Sequence, residues 1–201
     1  MKKHLLVLVM SIGLGQASFG QTGIKLGGNL SRFGWSPNRD AGLIKPVGSF
    51  VLGFQVGAWH KFVLGDKTSI GLEAVYGQKG DNYAGETTLS NINIPLYLNY
   101  DLSDKWNTQL GIAGNYTFEK PIIGYLKPKN PHLGLLLGLG YKTSNKMSIN
   151  ARFEYGNSQP FYVYDSSVFP NSTPGVSFKD LKLDNRIRTL EVSLYYTLSD
   201  R

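Results

Sequence analysis

The sequence contains no cysteine. That excludes disulfide staples, zinc–thiolate centres and thiol nucleophiles. Charge is also scarce. Asp, Glu, Lys and Arg make up 17 % of the chain, where a soluble domain carries about 25 %. There are three histidines; beyond His4 only His60 and His132 remain, and two separated histidines make a poor metal site. No dense Lys/Arg stripe exists, which argues against a nucleic-acid partner. Long apolar runs are missing too. After the opening segment the longest candidate, Leu133 to Tyr141, is interrupted by Gly134, Gly138 and Gly140, far short of the roughly 20 apolar residues of a transmembrane helix. Gly27-Gly28 and Gly138-x-Gly140 sit in strand patterns with no phosphate-loop context. No cofactor is implied.

The first twenty residues have the order of a secretory leader. Lys2, Lys3 and His4 give a basic start, Leu5 to Leu14 an apolar run, and Ala17, Ser18 and Gly20 a small-residue stretch. The expected domains are a signal peptide over 1–20 and a single domain over 21–201, with cleavage near Gly20–Gln21. The formal net charge of +7 falls to +5 without Lys2 and Lys3, a modest excess that suits anionic lipid headgroups.

What the chain has in quantity is glycine, 24 residues, and tyrosine, 12 residues, arranged with period two. Ile24, Leu26 and Leu30 alternate with Lys25, Gly27 and Asn29. The same alternation recurs over 50–62, 69–77, 91–100, 106–118, 133–142, 147–156 and 189–198. Eight strands of roughly nine to thirteen residues result, near the length that crosses a bilayer. Three links are short polar turns: Gly65-Asp66-Lys67-Thr68, Ser103-Asp104-Lys105 and Ser144-Asn145-Lys146. The others are long: 32–49, 78–90, 119–131 and 157–186. Short turns at one end and long loops at the other are the habit of outer-membrane barrels, and an even strand count puts both termini at the short-turn, periplasmic end.

Period two leaves open which face points outward. A lipocalin-like soluble barrel buries its apolar face; a membrane barrel does the reverse. The polar face here is rich in glycine and poor in charge, which suits a narrow lumen better than a solvated surface. The apolar face carries Tyr76, Tyr100, Trp106, Tyr116, Phe118, Tyr141, Tyr155 and Tyr196 near strand ends, the positions of interfacial girdles. The reading is therefore an all-β, eight-stranded antiparallel up-and-down transmembrane barrel. Lys25, Lys61, Glu73, Lys142, Arg152, Glu154 and Glu191 then point inward. Lys25, Glu73, Arg152, Glu154 and Glu191 are expected to form an internal charge network that blocks the lumen, because unpaired interior charge is costly. The alternative is an ion or proton path. Pro95 requires a bulge or a ladder break, since a closed barrel has no edge strand to take it.

Four stretches carry a resemblance: Gly23-Ile24-Lys25-Leu26-Gly27-Gly28-Asn29-Leu30-Ser31, Gly71-Leu72-Glu73-Ala74-Val75-Tyr76-Gly77-Gln78-Lys79-Gly80, Ile94-Pro95-Leu96-Tyr97-Leu98 with Tyr100, and the closing Glu191-Val192-Ser193-Leu194-Tyr195-Tyr196-Thr197-Leu198. In these the chain resembles the PorT-like family of small outer-membrane β-barrel proteins of Gram-negative bacteria, and more distantly the OmpA-type membrane domain. The resemblance implies an integral barrel without one fixed activity; some members serve protein export. The closing strand looks like a barrel-assembly signal, with Ser193 where glycine is usual and with Ser199-Asp200-Arg201 running on past it.

Some barrels are enzymes, usually through a histidine near the outer rim. His132 is the only candidate general base, and no Ser or Asp at fixed spacing accompanies it, so a rim hydrogen bond is expected instead. His60 falls on the lipid-facing parity. The long loops are the expected binding surface. Lys120, Lys127 and Lys129 fit lipopolysaccharide phosphates, and Phe161, Tyr162, Tyr164, Phe169 and Phe178 fit a partner or pack on one another. The expected function is a structural, binding or export-accessory role in the outer membrane, among lipid and lipopolysaccharide, with an extracellular or export-machinery protein as a further partner. A small pore, or a barrel enzyme using His132, are the alternatives.

Overall fold

The computed structural model describes residues 20–34, 50–81, 87–118, 126–128, 130–156, 161–163 and 186–200. Among the described residues ten strands are present: β1 (Gly20–Gly34), β2 (Val51–Val63), β3 (Thr68–Asp81), β4 (Thr87–Asp101), β5 (Trp106–Thr117), β6 (Leu126–Pro128), β7 (His132–Lys142), β8 (Met147–Gly156), β9 (Phe161–Val163) and β10 (Arg186–Asp200). Eight of them close in the order β1-β10-β8-β7-β5-β4-β3-β2, every pair antiparallel, and β6 and β9 form a separate two-stranded sheet.

The three short turns share one hydrogen-bond pattern. Leu64 N donates to Thr68 O, Leu102 N to Trp106 O, and Thr143 N to Met147 O, at 2.8–2.9 Å. In two of them a serine side chain stabilises the reversal: Ser103 Oγ accepts from Trp106 N at 3.1 Å, and Ser144 Oγ from Lys146 N at 3.3 Å. These local bonds occupy backbone groups that the ladder leaves over, as serine-type turns do.

The direction of the pleat decides the class. Leu96, Leu135 and Leu194, which a soluble barrel would pack centrally, face outward at 46 %, 54 % and 39 % exposure. Lys25, Glu73 and Arg152 are buried inside. Such an apolar outer wall is unfavourable in water and favourable in hydrocarbon. Aromatic rings edge this wall at both ends. Tyr100, Trp106, Tyr141 and Tyr196 lie toward the short turns, with Trp106 and Tyr141 rings 4.8 Å apart. Tyr76, Tyr116, Phe118 and Tyr155 lie toward the loops, with Tyr116 and Phe118 rings 5.2 Å apart. Trp106 and Tyr116 stand about ten residues apart on β5, or about 34 Å along the strand. A tilt of about 40° brings that to about 26 Å, close to the apolar band of membrane barrels.

Three local features depart from, or refine, the sequence reading. The hairpin β3–β4 runs to Asp81 and restarts at Thr87, so most of the expected loop 78–90 is strand, and Lys79 becomes an inward residue. Loops 119–131 and 157–186 are not simply loops: Leu126 pairs with Val163 and Pro128 with Phe161. At Pro95 the ladder breaks without changing register. Leu72 pairs with Leu96 and Val75 with Asn93, while the two rungs between them are missing on the β3 side. Proline has no N–H to donate there.

Candidate functional site

Eight inward faces meet in the lumen, and glycines make room for its large side chains. A methyl group on Gly138 would sit 2.8 Å from Arg152 Cγ, and one on Gly134 would sit 2.8 Å from Glu154 Oε1. On Gly71 it would overlap the Tyr97 ring. Real Cβ atoms do not approach so closely, so each glycine marks a volume given to a neighbouring strand's side chain.

The middle of the lumen is filled by one charge cluster. Arg152 donates through Nη2 to Glu73 Oε1 at 2.7 Å and through Nη1 to Glu73 Oε2 at 2.9 Å, a bidentate fork. Its Nε donates to Gln109 Oε1 at 2.6 Å. Lys25 Nζ donates to Glu73 Oε2 at 3.1 Å and to Glu191 Oε1 at 2.8 Å. Tyr195 Oη donates to Glu73 Oε1 at 2.9 Å. The guanidinium lies 4.4 Å from the Tyr97 ring centre and 5.3 Å from that of Tyr195. Two cations face two carboxylates, so the formal charge is zero. The Arg152 and Glu73 side chains are both 0 % exposed.

Glu154 does not join this cluster. It belongs to a second one nearer the loops, where Lys79 Nζ donates to its Oε2 at 2.7 Å. Asn115 Nδ2 donates to Oε1 at 2.7 Å and Asn93 Nδ2 to Oε2 at 3.1 Å. His132 faces inward beside this group. In place of the expected rim hydrogen bond, its Nδ1 is buried without a partner, as are Oδ1 of Asn29, Asn91 and Asn93 and Oγ1 of Thr189. Lys79 was missed by sequence reasoning, which set Asn93 and Asn115 on the inward polar face but not in a charge cluster. Lys79 lay just past the apparent end of β3, although its parity with Glu73 and Val75 already placed it inside.

Toward the short turns the lumen is open. A cavity of about 730 Å³ reaches from Asp66, Asp104 and Ser144 at the mouth down to Trp59, Tyr97 and Tyr195. Lys61 and Lys142 line it, and Lys142 Nζ lies 3.1 Å from Asp101 Oδ2, both side chains partly exposed. His60 lies outside this space; its Nδ1 meets Thr22 Oγ1 at 2.7 Å. Lys120, Lys129, Tyr164, Phe169 and Phe178 lie outside the described residues. So do residues 1–19 of the leader expected over 1–20, while Gly20 opens β1. Lys127 falls in β6, and Phe161 and Tyr162 in β9. Among the described residues no helix is long and apolar enough to cross a membrane, which says nothing of strands, and no His/Asp/Glu group could hold a metal ion.

An apolar wall around a charged, hydrogen-bonded lumen defines a transmembrane β-barrel of eight antiparallel strands. Neither a family model nor a curated protein matches the sequence. Solved structures do match. Neisserial surface protein A is 9 % identical over 88 % of this chain and 97 % of its own, with a TM-score of 0.51. Ail, the attachment invasion locus protein of Yersinia pestis, is 12 % identical over 90 % and 99 %, TM-score 0.47. Outer membrane protein W of E. coli is 15 % identical over 90 % and 100 %, TM-score 0.41. At these identities the likeness bears on fold alone.

Proposed function

We propose that this chain is an integral outer-membrane barrel of the PorT-like kind, exported behind the leader at 1–20 and seated with both termini in the periplasm. Its role is structural, binding or export-accessory, with no catalytic step. One observation carries the membrane assignment: fully buried ion pairs inside and leucines 39–73 % exposed outside. The bidentate Arg152–Glu73 contact across the lumen supports a closed barrel. Among the described residues no hydroxyl or carboxylate bonds to His132 Nδ1, and the proposal leaves His132 out of catalysis. Lipopolysaccharide contact through Lys120, Lys127 and Lys129 belongs to the same reading.

Fractionation tests it. The protein is expected in outer membranes, resistant to urea extraction and released by detergent. Recovery in the soluble periplasm overturns the assignment. Replacing the three loop lysines should weaken lipopolysaccharide binding most at low salt. A second reading, a small pore, is favoured by the cavity that enters from the short turns. Planar-bilayer recordings separate the two: the plugged barrel is silent, and steady unit conductance in the unaltered protein establishes the pore. An activity that vanishes in His132→Ala would establish the enzyme alternative.

A further inference from the structure

The outer wall carries one cationic feature that the lumen does not explain. Arg32 on β1 and Arg188 on β10 are directly opposed cross-strand partners, and both belong to the outward parity. Opposed residues have Cβ atoms about 4.5–5.5 Å apart, and like charges in that arrangement repel. Neither has a carboxylate partner among the described residues. Each is braced by a ring instead. The Arg32 guanidinium lies 5.9 Å from the Phe50 ring centre, and that of Arg188 lies 5.9 Å from Tyr155, its cross-strand neighbour on β8. The result is a row, aromatic–Arg–Arg–aromatic, across β8, β10, β1 and the residue that precedes β2. Immediately toward the short turns the wall turns apolar, with Leu30 and Leu190 paired and exposed.

We infer that this row is a binding site for the anionic, phosphomonoester-bearing headgroup of a membrane lipid. The inference rests on the membrane reading above. Two guanidiniums with no carboxylate partner among the described residues offer forked donors suited to phosphate, and an anion between them removes their repulsion. Their position at the rim of the apolar wall selects an amphiphile over a soluble anion: phosphate meets the arginines while acyl chains lie along Leu30 and Leu190. Phe50 and Tyr155 hold the two forks apart at the level where headgroups begin.

The test uses the full chain in phosphatidylcholine nanodiscs, with three probes: bis-phosphorylated lipid A, the same lipid dephosphorylated, and inorganic phosphate. Readouts are lipid retention by native mass spectrometry and the thermal unfolding midpoint. The phosphorylated lipid should bind at least about tenfold more tightly than the dephosphorylated one and raise the midpoint. An Arg32→Gln/Arg188→Gln variant should lose that preference. Its midpoint in phosphatidylcholine alone should be unchanged or higher, because a repulsion has gone. Should the variant not fold, Arg32→Lys/Arg188→Lys keeps the charge without the fork and should bind the phosphorylated lipid more weakly; unchanged binding there overturns the site. Phosphate preference retained in the glutamine variant overturns it too, as does an equal effect of inorganic phosphate. A chain that enters nanodiscs but shows no preference sinks this inference alone. One that never enters them sinks the membrane reading as well.

Discussion

Two ion pairs in the same lumen have opposite standing. Arg152 and Glu73 meet at mid-barrel with neither side chain exposed, in a fork completed by Lys25, Tyr195 and Gln109. Lys142 and Asp101 meet at the open mouth, with side chains 38 % and 26 % exposed and 3.1 Å apart. Both sit on the inward parity of regular strands, and their charges are of the same kind. Water alone separates them in consequence. At the mouth either partner can be solvated if the other is lost, so the pair contributes little. At mid-barrel no solvent replaces a missing partner, and the remaining charge is stranded. The lesson is that depth along the barrel axis, not the presence of a salt bridge, tells which charges the fold depends on.

Substitutions can break this contrast in graded order. The largest effect is expected from Arg152→Met, which leaves Glu73 and Glu191 facing Lys25 alone; urea unfolding in detergent should register a loss of about 3–5 kcal/mol. If that loss is below about 1 kcal/mol, the mid-barrel cluster is far wetter than its geometry implies. Lys79→Met attacks the second cluster. Glu154 keeps Asn93 and Asn115 as donors, so the loss should be smaller, about 1.5–3 kcal/mol. Gly71→Ala touches no charge but drives a methyl group into the Tyr97 ring, displacing it from Arg152; about 1–3 kcal/mol is expected from overpacking. Its near-ultraviolet circular dichroism should change with the ring's position. Asp101→Asn comes last, within about 1 kcal/mol and diminishing with salt. An Asp101 effect equal to that of Arg152 would erase the distinction between mouth and middle.

The strands and three short turns were legible because period two is a strong signal and because Gly/Ser-Asp/Asn-Lys triplets interrupt it at regular places. The inward direction of Lys25, Glu73, Arg152 and Glu191 followed from parity alone. Parity did not say which charges would touch, since that depends on stagger between strands, and Glu154 pairs one cluster away from where it was expected. Tyr97, Tyr195 and Leu136 stand inward among polar neighbours and blur the apolar stripe, so their part in filling the lumen was hidden. Lys79 was hidden by a sequence, Gln78-Lys79-Gly80-Asp81, that has turn composition but remains in the ladder. The β6–β9 pairing joins three-residue segments with no alternation to read, and such a pairing leaves no local trace.

The charged members of the mid-barrel cluster come from β1, β3, β8 and β10. Lys25 and Glu191 are separated by 166 positions in the chain, and Tyr195 and Glu73 by 122. The β1–β3 half holds only Lys25 with Glu73, and β8 with β10 only Arg152 with Glu191. Once the first strand meets the last, the shorter Lys25–Glu191 contact and the Arg152–Glu73 fork join the two halves. Ring completion thereby adds the strongest contacts of the cluster, and the buried electrostatics favour the closed barrel over either half alone.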